Sequence, residues 1–529
     1  MSTTITIVLI LLAVTAVVAS LATRIRIPYA ILLVLVGVLL GLVPGLPRVT
    51  IEPDLILLLF LPPLVYASAW QTSWREFRFS LRPILQLSVG LVLVTTTIVA
   101  VIAHLVLALP WPVAFVLGAI LSPTDAVAAS ATAQSMGLTR RIVTILEGES
   151  MVNDATGLVV YRFAVTAVVT GTFSLWQASL QFVVVSLGGL LLGVLLAWPI
   201  AWLHHHIDDA PIEITITLLT PYTAYLLAEE LHVSGVLAAL SAGLYLSRRS
   251  SRFFSANTRL QGIAVWNVLT FLLNGLLFLL IGLEWREILE SIVDGSFGIV
   301  LGDAVLMSIT AILVRVAWVF LATYLPRLLS TRLRTRDPYP GWRNVLIIAW
   351  TGLRGGISLA AALALPLTIA DGRLFPERNL ILVLTFGVIL ATLVGQGLSL
   401  IPLIRFLNVK TDNSLNDELL QAQFAAVKAA IARLNELAEE DRAEENDFVM
   451  HLRAHYEQKM NNLVKLREEE HPLPIGRDEQ AMHHQRIREE VLQAERQAVI
   501  LLRDQGHIDD EALRIMEREL DLEEQRLAS

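Results

Sequence analysis

An α-helix of about 20 apolar residues spans the hydrocarbon core of a bilayer, and this chain repeats such a stretch from its N-terminus to about residue 405. Thirteen segments qualify: 3–22, 27–46, 51–70, 83–108, 111–134, 147–171, 178–203, 212–231, 233–247, 264–286, 298–326, 343–366 and 378–404. Backbone polar groups in lipid must be satisfied within the protein, so runs of this length fold as helices. The chain is therefore read as an all-α polytopic membrane protein of about 13 transmembrane helices. Hydrophobic residues make up 55% of its 529 residues, which agrees with that class. The first segment has no basic n-region and no small-residue cleavage site, so it is expected to be a retained helix.

Cytoplasmic loops of membrane proteins carry the excess of Lys and Arg. With thirteen spans and the C-terminus inside, eighteen basic residues fall in inner loops, among them Arg24, Arg75, Arg140, Arg141, Arg248, Arg334 and Arg405. Only Arg48, Arg286, Arg373 and Arg378 fall outside. The N-terminus is then expected outside and the protein in the plasma membrane. Residues 1–410 form the transmembrane domain, and 411–529 a mainly helical cytoplasmic tail. That tail holds 15 Lys+Arg against 28 Asp+Glu, a net of −13 out of −8 for the whole chain, so the acidity is confined to it. Amphipathic helices are expected over 419–440 and 479–527, split near His471-Pro-Leu-Pro474.

Cysteine is absent, and no Gly-rich phosphate loop of the Walker type occurs. No cofactor is implied, and no metal beyond a transported cation. The charge pattern suggests no nucleic-acid partner. Uphill transport, without a nucleotide site, has to be driven by an ion gradient.

Charges inside the spans are costly and default to function. Leu121-Ser-Pro-Thr-Asp-Ala-Val127 places Pro123 mid-membrane, where it removes a backbone donor and breaks the helix. Asp125 follows it at once. In the sixth segment Glu147, Ser150 and Asp154 stand at i, i+3 and i+7 on one helical face, with Glu149 and Asn153 beside them. Carboxylate and hydroxyl oxygens suit a hard monovalent cation, and a carboxylate also takes a proton. Glu147 is read as an interfacial acid beside Arg140 and Arg141. In the twelfth segment Arg354 lies among Gly352, Gly355 and Gly356, and is expected to pair with an acid such as Glu149. Arg162 and Arg315 are read as structural, Glu213, Glu229 and Glu230 as lining funnels or marking interfaces, and His204-His-His-Ile-Asp-Asp209 as a wet turn. Segments five and twelve are each the interrupted middle member of a triplet, the mark of inverted repeats whose discontinuous helices cross near the bilayer centre.

Ser122-Pro-Thr-Asp-Ala126, Glu147-Gly-Glu-Ser-Met-Val-Asn-Asp154, His232-Val-Ser-Gly235 and Gly352-Leu-Arg-Gly-Gly356 together resemble the monovalent cation/proton antiporter family, in its bacterial Na+/H+ exchanger branch of the Asn-Asp type. The resemblance covers about residues 5–405. It implies a core domain with two crossed, unwound helices, a separate dimerisation domain and hence a homodimer, and alternating access by movement of the core. It also implies that Asp154 is the carboxylate shared by Na+ and H+, Ser150 a ligand, Thr124 a backbone-carbonyl ligand and Asp125 a nearby, water-mediated contact. Asn153 would stabilise the site, and Glu149 and Arg354 would form the core ion pair. Many relatives place an acid three or four residues after Leu-Pro-Pro in the third segment. Here Leu61-Pro-Pro-Leu-Val-Tyr-Ala-Ser68 has none, which leaves the preference among Na+, Li+ and K+ open. With one pivotal carboxylate the expected activity is electroneutral exchange of Na+, or another alkali cation, for H+. K+/H+ exchange is the alternative. A channel lacks a carbonyl-filter motif and an intramembrane enzyme lacks its signatures.

Overall fold

Apolar runs without internal partners for their backbone can only become helices, and the computed structural model is nearly all helical. It describes residues 2–25, 28–43, 53–285 apart from 126–128, 131, 134–135 and 173, 297–409 apart from 338 and 370–371, and, further on, 423–432, 434–435, 446–468 and 522. Two compact units are present, Met1–Thr411 and Asp412–Ser529. The second contributes a helix over Asn446–Glu468. The amphipathic helix expected over 479–527 and the break at His471-Pro-Leu-Pro474 lie outside the described residues, apart from residue 522.

The first unit contains α1 (Ser2–Ile25), α2 (Tyr29–Gly41), α3 (Pro53–Gln71), α4 (Leu81–Leu107), α5 (Trp111–Leu121), α6 (Arg140–Thr170), α7 (Leu175–His204), α8 (Ala210–Glu230), α9 (Gly235–Phe253), α10 (Ala256–Leu283), α11 (Phe297–Leu329), α12 (Trp342–Trp350), α13 (Gly356–Leu363) and α14 (Arg378–Leu407). Among the described residues seven helices are long and apolar enough to cross a membrane, with shorter apolar helices beside them. Two contain a π-helical turn, Gln86–Leu91 in α4 and Ala391–Gln396 in α14.

Apolar side chains gain nothing from leaving lipid for one another, so membrane helices associate through close packing of small residues. The contact of α2 with α10 has this form. A Cβ on Gly282 would stand 2.3 Å from Val34 O and one on Gly37 would stand 2.4 Å from Leu279 O, so each backbone fills the space a side chain would need. The seam between α7 and α9 is similar, with Gly193 against Ala238 and Ser241. One apolar cluster joins α4, α5, α6, α9 and α14, and a second joins α1, α2, α10 and α12.

Two helices stop in the interior. α5 ends at Leu121, and Ser122–Asp125 is non-helical because Pro123 supplies no N–H and its neighbours cannot hold the helical ladder. α12 ends at Trp350, and α13 begins only at Gly356. The intervening strands of backbone meet: Asp125 N–H donates to Leu353 O at 2.8 Å.

The His204 stretch departs from the expected wet turn. His204 closes α7 and is 1% exposed, stacked on Phe253 with its ring centroid 5.1 Å away and its Nδ1 3.7 Å from Glu213 Oε1. The turn itself starts one residue later, and Asp209 caps α8 by accepting from Ile212 N–H at 3.2 Å.

Substituting Gly282 by Ala should lower the apparent melting temperature in detergent, because overpacking against backbone costs about 1–3 kcal/mol. Gly302→Ala, where nothing lies within 4 Å of the added Cβ, should leave it unchanged or slightly raised. Equal melting of both variants would show that the α2–α10 contact can yield.

Candidate functional site

The two breaks open onto a cavity of about 220 Å³. Its walls are Ser68 and Gln71 of α3, the Pro123–Asp125 break, Glu147, Ser150 and Asp154 of α6, Thr270 and Asn274 of α10, and Gly355 and Ser358 at the start of α13. Asp154 is 6% exposed, so its carboxyl group faces the cavity from an otherwise buried position. Glu147 and Ser150 precede it along the same face, and Glu147 lies roughly 10 Å away by the helical rise. Glu147, expected as an interfacial acid, is among the residues that line this cavity. Arg140 reaches Glu76 at 3.6 Å and Arg141 reaches Asp337 at 3.0 Å, while Glu147 is half-buried on the cavity wall.

α6 is held against the broken helix by residues on its flanks. Gly157, one turn after Asp154, leaves room for the Pro123 ring, whose Cγ would stand 2.4 Å from any Cβ placed there. Asn153 Nδ2 donates to Thr124 Oγ1 at 2.8 Å and to Thr124 O at 3.3 Å. Thr124 in turn donates to Glu149 Oε1 at 2.9 Å. Asn153, expected to stabilise the site, turns its amide nitrogen to the break. Across the crossing, Asp125 packs on Gly355: a Cβ on that glycine would stand 2.1 Å from Asp125 Oδ2. Thr124, Asp125, Ser150 and Asp154 are brought to one cavity, and Asn153 and Glu149 stand behind it.

The expected Glu149–Arg354 pair is corrected. Glu149 is held by both terminal nitrogens of Arg315 on α11, with Nη2 3.0 Å from Oε2, and that Nη2 also donates to Ile348 O at 3.1 Å. Arg354 instead donates through Nη1 to Ser122 O at 2.6 Å and Pro123 O at 2.8 Å. The reason is steric and local. Arg315 passes across Gly352, where a Cβ would stand 2.4 Å from its Cδ, and so reaches Glu149 first. The last carbonyls of α5 lack helical donors, and Arg354 supplies them. Glu149, Arg315 and Arg354 are each 1% exposed. The signal for Arg315 in the sequence is that it is the one guanidinium within the span 298–326. Arg162, the other such residue, pairs with Glu229 at 2.8 Å.

These elements can bind a small cation by oxygen atoms and can hold a proton on the same carboxylate. Residues 9–406 match the family model described as sodium/hydrogen exchanger, transmembrane. An uncharacterized Na+/H+ exchanger of Mycobacterium tuberculosis is 37% identical over 508 residues, covering 95% of this chain and 92% of that protein. A sodium, potassium, lithium and rubidium/H+ antiporter of Bacillus subtilis is 32% identical over 503 residues, covering 93% and 73%. The fold is similar to that of the sodium proton antiporter MjNhaP1 from Methanocaldococcus jannaschii, with a TM-score of 0.61 at 21% identity over 77% of this chain and 99% of that one.

Removing one partner of a buried ion pair leaves an uncompensated charge, a loss of about 3–5 kcal/mol. Arg315→Met should therefore lower the melting temperature sharply. The double variant Arg315→Met/Glu149→Gln should recover part of the loss. Unaltered melting of the single variant would remove the pair from the core of the fold.

Proposed function

The chain belongs to the sodium/hydrogen exchanger family, and we propose that it exchanges one alkali cation for one proton at the carboxylate of Asp154. The charge balance around the crossing supports this reading most directly. Leaving aside Glu147, two turns back along α6, the groups at the crossing are Asp125, Glu149 and Asp154 against Arg315 and Arg354, which leaves one negative charge when all are ionised. A buried charge without a partner is strongly disfavoured. One proton or one monovalent cation neutralises it, and each excludes the other. Exchange follows, because the site can move only when loaded by one of the two, and a one-for-one swap carries no net charge.

Within this reading Ser150 and Thr124 lend oxygen atoms beside Asp154, and Asp125 acts nearby across the crossing. Asn153 holds Thr124 in place by its two donated hydrogen bonds. Glu149 and Arg315 keep the core neutral apart from the working carboxylate. The arrangement reads as thirteen spans with inverted repeats around residues 83–171 and 298–404, the N-terminus outside, the acidic tail in the cytoplasm, and a homodimer in the plasma membrane. The Lys and Arg distribution between loops supports this orientation. Alternating access then consists of moving the crossed breaks relative to the remaining helices.

The wall facing Asp154 from α3 and α10 offers only neutral groups, Ser68, Gln71, Thr270 and Asn274. The Bacillus relative is named for four alkali cations. A tolerant site accepting Na+, Li+ and K+ accords with a neutral wall opposite Asp154.

Reconstituted protein should dissipate a pH gradient when Na+ is supplied, and Asp154→Asn should reduce this to the liposome background. Clamping the membrane potential with a K+ ionophore in a K+-balanced medium should leave the Na+-driven rate unchanged. Because proton and cation compete, a tenfold rise in Na+ should carry the acid limb of the pH profile down by about one unit. Full activity in Asp154→Asn would refute the assignment.

A further inference from the structure

Hydroxyl side chains inside membrane helices ordinarily return their proton to the carbonyl three or four residues back. Thr15 bonds Leu11 O, Thr156 bonds Val152 O, Ser308 bonds Ala304 O and Thr392 bonds Val388 O, all between 2.8 and 3.0 Å or a little shorter at 2.7 Å. Ser358 does not. Its hydroxyl is buried, 1% exposed, and meets no hydrogen-bond partner in the protein. The cause lies in the break. α13 begins at Gly356 and its N-cap Gly355 is extended, at φ −126° and ψ −161°. Ser358 is the third residue of that helix, so the carbonyl four residues back belongs to Arg354 in the non-helical segment and is not aligned to receive it.

An unmet hydroxyl in a dry interior costs about 1–3 kcal/mol and needs an account. Ser88, Thr95 and Thr385 also lack a partner, but none of them lines the cavity. Among the described residues Ser358 alone is both without a hydrogen-bond partner and part of the wall that holds Asp154, Asp125 and Ser150. Three residues before it, Gly355 is in contact with the Asp125 carboxyl group. Residues three apart share a helical face, so Ser358 continues the line from Asp125 along the cavity.

We infer that the Ser358 hydroxyl is an oxygen ligand of the transported alkali cation, contributed from the second broken helix. This rests on exchange at Asp154 as proposed above. A hydroxyl oxygen is a hard, neutral donor, so it favours the cation without adding charge to the balance. A proton on Asp154 does not require it. Ser358 therefore weights the competition toward the cation and sets how much Na+ is needed to displace the proton. It also gives each of the two breaks a place in the coordination shell, so that the ion bridges the segments that have to move together.

The full chain, purified and reconstituted, tests this with Ser358→Ala and Ser358→Cys, the second of which keeps the volume but offers a soft sulfur in place of oxygen. Both should raise the KM for Na+ about five- to tenfold, with maximal rate within about twofold of wild type. At fixed Na+ the acid limb of the pH profile should move upward by the logarithm of the same factor. Unchanged KM and unchanged acid limb in both variants would overturn the assignment, since a hydroxyl satisfied by structural water alone predicts that result. A fall in maximal rate with KM and acid limb unmoved, or loss of monodispersity in both variants, would overturn it equally by making Ser358 structural. Absence of Na+-driven proton flux in the wild type would instead remove the exchange reading and is distinguished by that control.

Discussion

Non-helical backbone at membrane depth is tolerated only where the protein satisfies it, and the crossing of the two breaks is where this chain does so. Asp125 N–H donates to Leu353 O, and Arg354 donates to the carbonyls of Ser122 and Pro123. Each break thus supplies what the other lacks. Pro123 creates carbonyls with no helical donor, and the Gly-rich stretch at 352–356 brings a cation and a carbonyl to them without side chains in the way. The remaining helices position this joint: α6 through Gly157 and Asn153, α11 through Arg315, α14 through Thr392, which accepts from Arg354 N–H at 3.2 Å.

Electrostatics then constrain what the joint can do. Arg354 neutralises the crossing as well as bonding it, and Arg315 removes Glu149 from any dealings with a passing ion. If either guanidinium were absent, two carboxylates would compete for counter-charges, and the site would hold a variable number of protons. With both present, the three acids at the crossing exceed the guanidiniums by one charge, which the proposed exchange assigns to Asp154. The guanidinium that satisfies the broken backbone is therefore also part of the charge balance on which the proposed exchange rests.

Much of this was legible in the sequence because local rules produced it. Pro123 breaking a span, glycines around Arg354, and carboxylates at helical spacing on α6 are statements about neighbours in the chain. Glu149's partner was not legible, because Arg315 lies 166 residues away and both arginines satisfy the same rule that a buried acid needs a base. What decides between them is the slot at Gly352, a three-dimensional fact. His204 was misjudged as wet because the polarity of His204 to Asp209 masks the point at which α7 ends, and the helix carries its last histidine into the packing of Phe253.

Position 153 joins these constraints in one side chain. An amide there donates twice to Thr124, once to its hydroxyl and once to its carbonyl, and so fixes the broken helix against α6. A carboxylate of the same shape cannot donate to the Thr124 carbonyl, and it could keep the hydroxyl contact only by drawing the Thr124 proton away from Glu149. It would also add a second negative charge beside Asp154, and the balance set by Arg315 and Arg354 would no longer leave one. Asn153 is thus a geometric requirement and an electrostatic one at once. The Thr124 hydroxyl is oriented by it toward Glu149, which orders the donors along the chain Asn153, Thr124, Glu149, Arg315 and leaves Asp154, the adjacent residue, turned to the cavity.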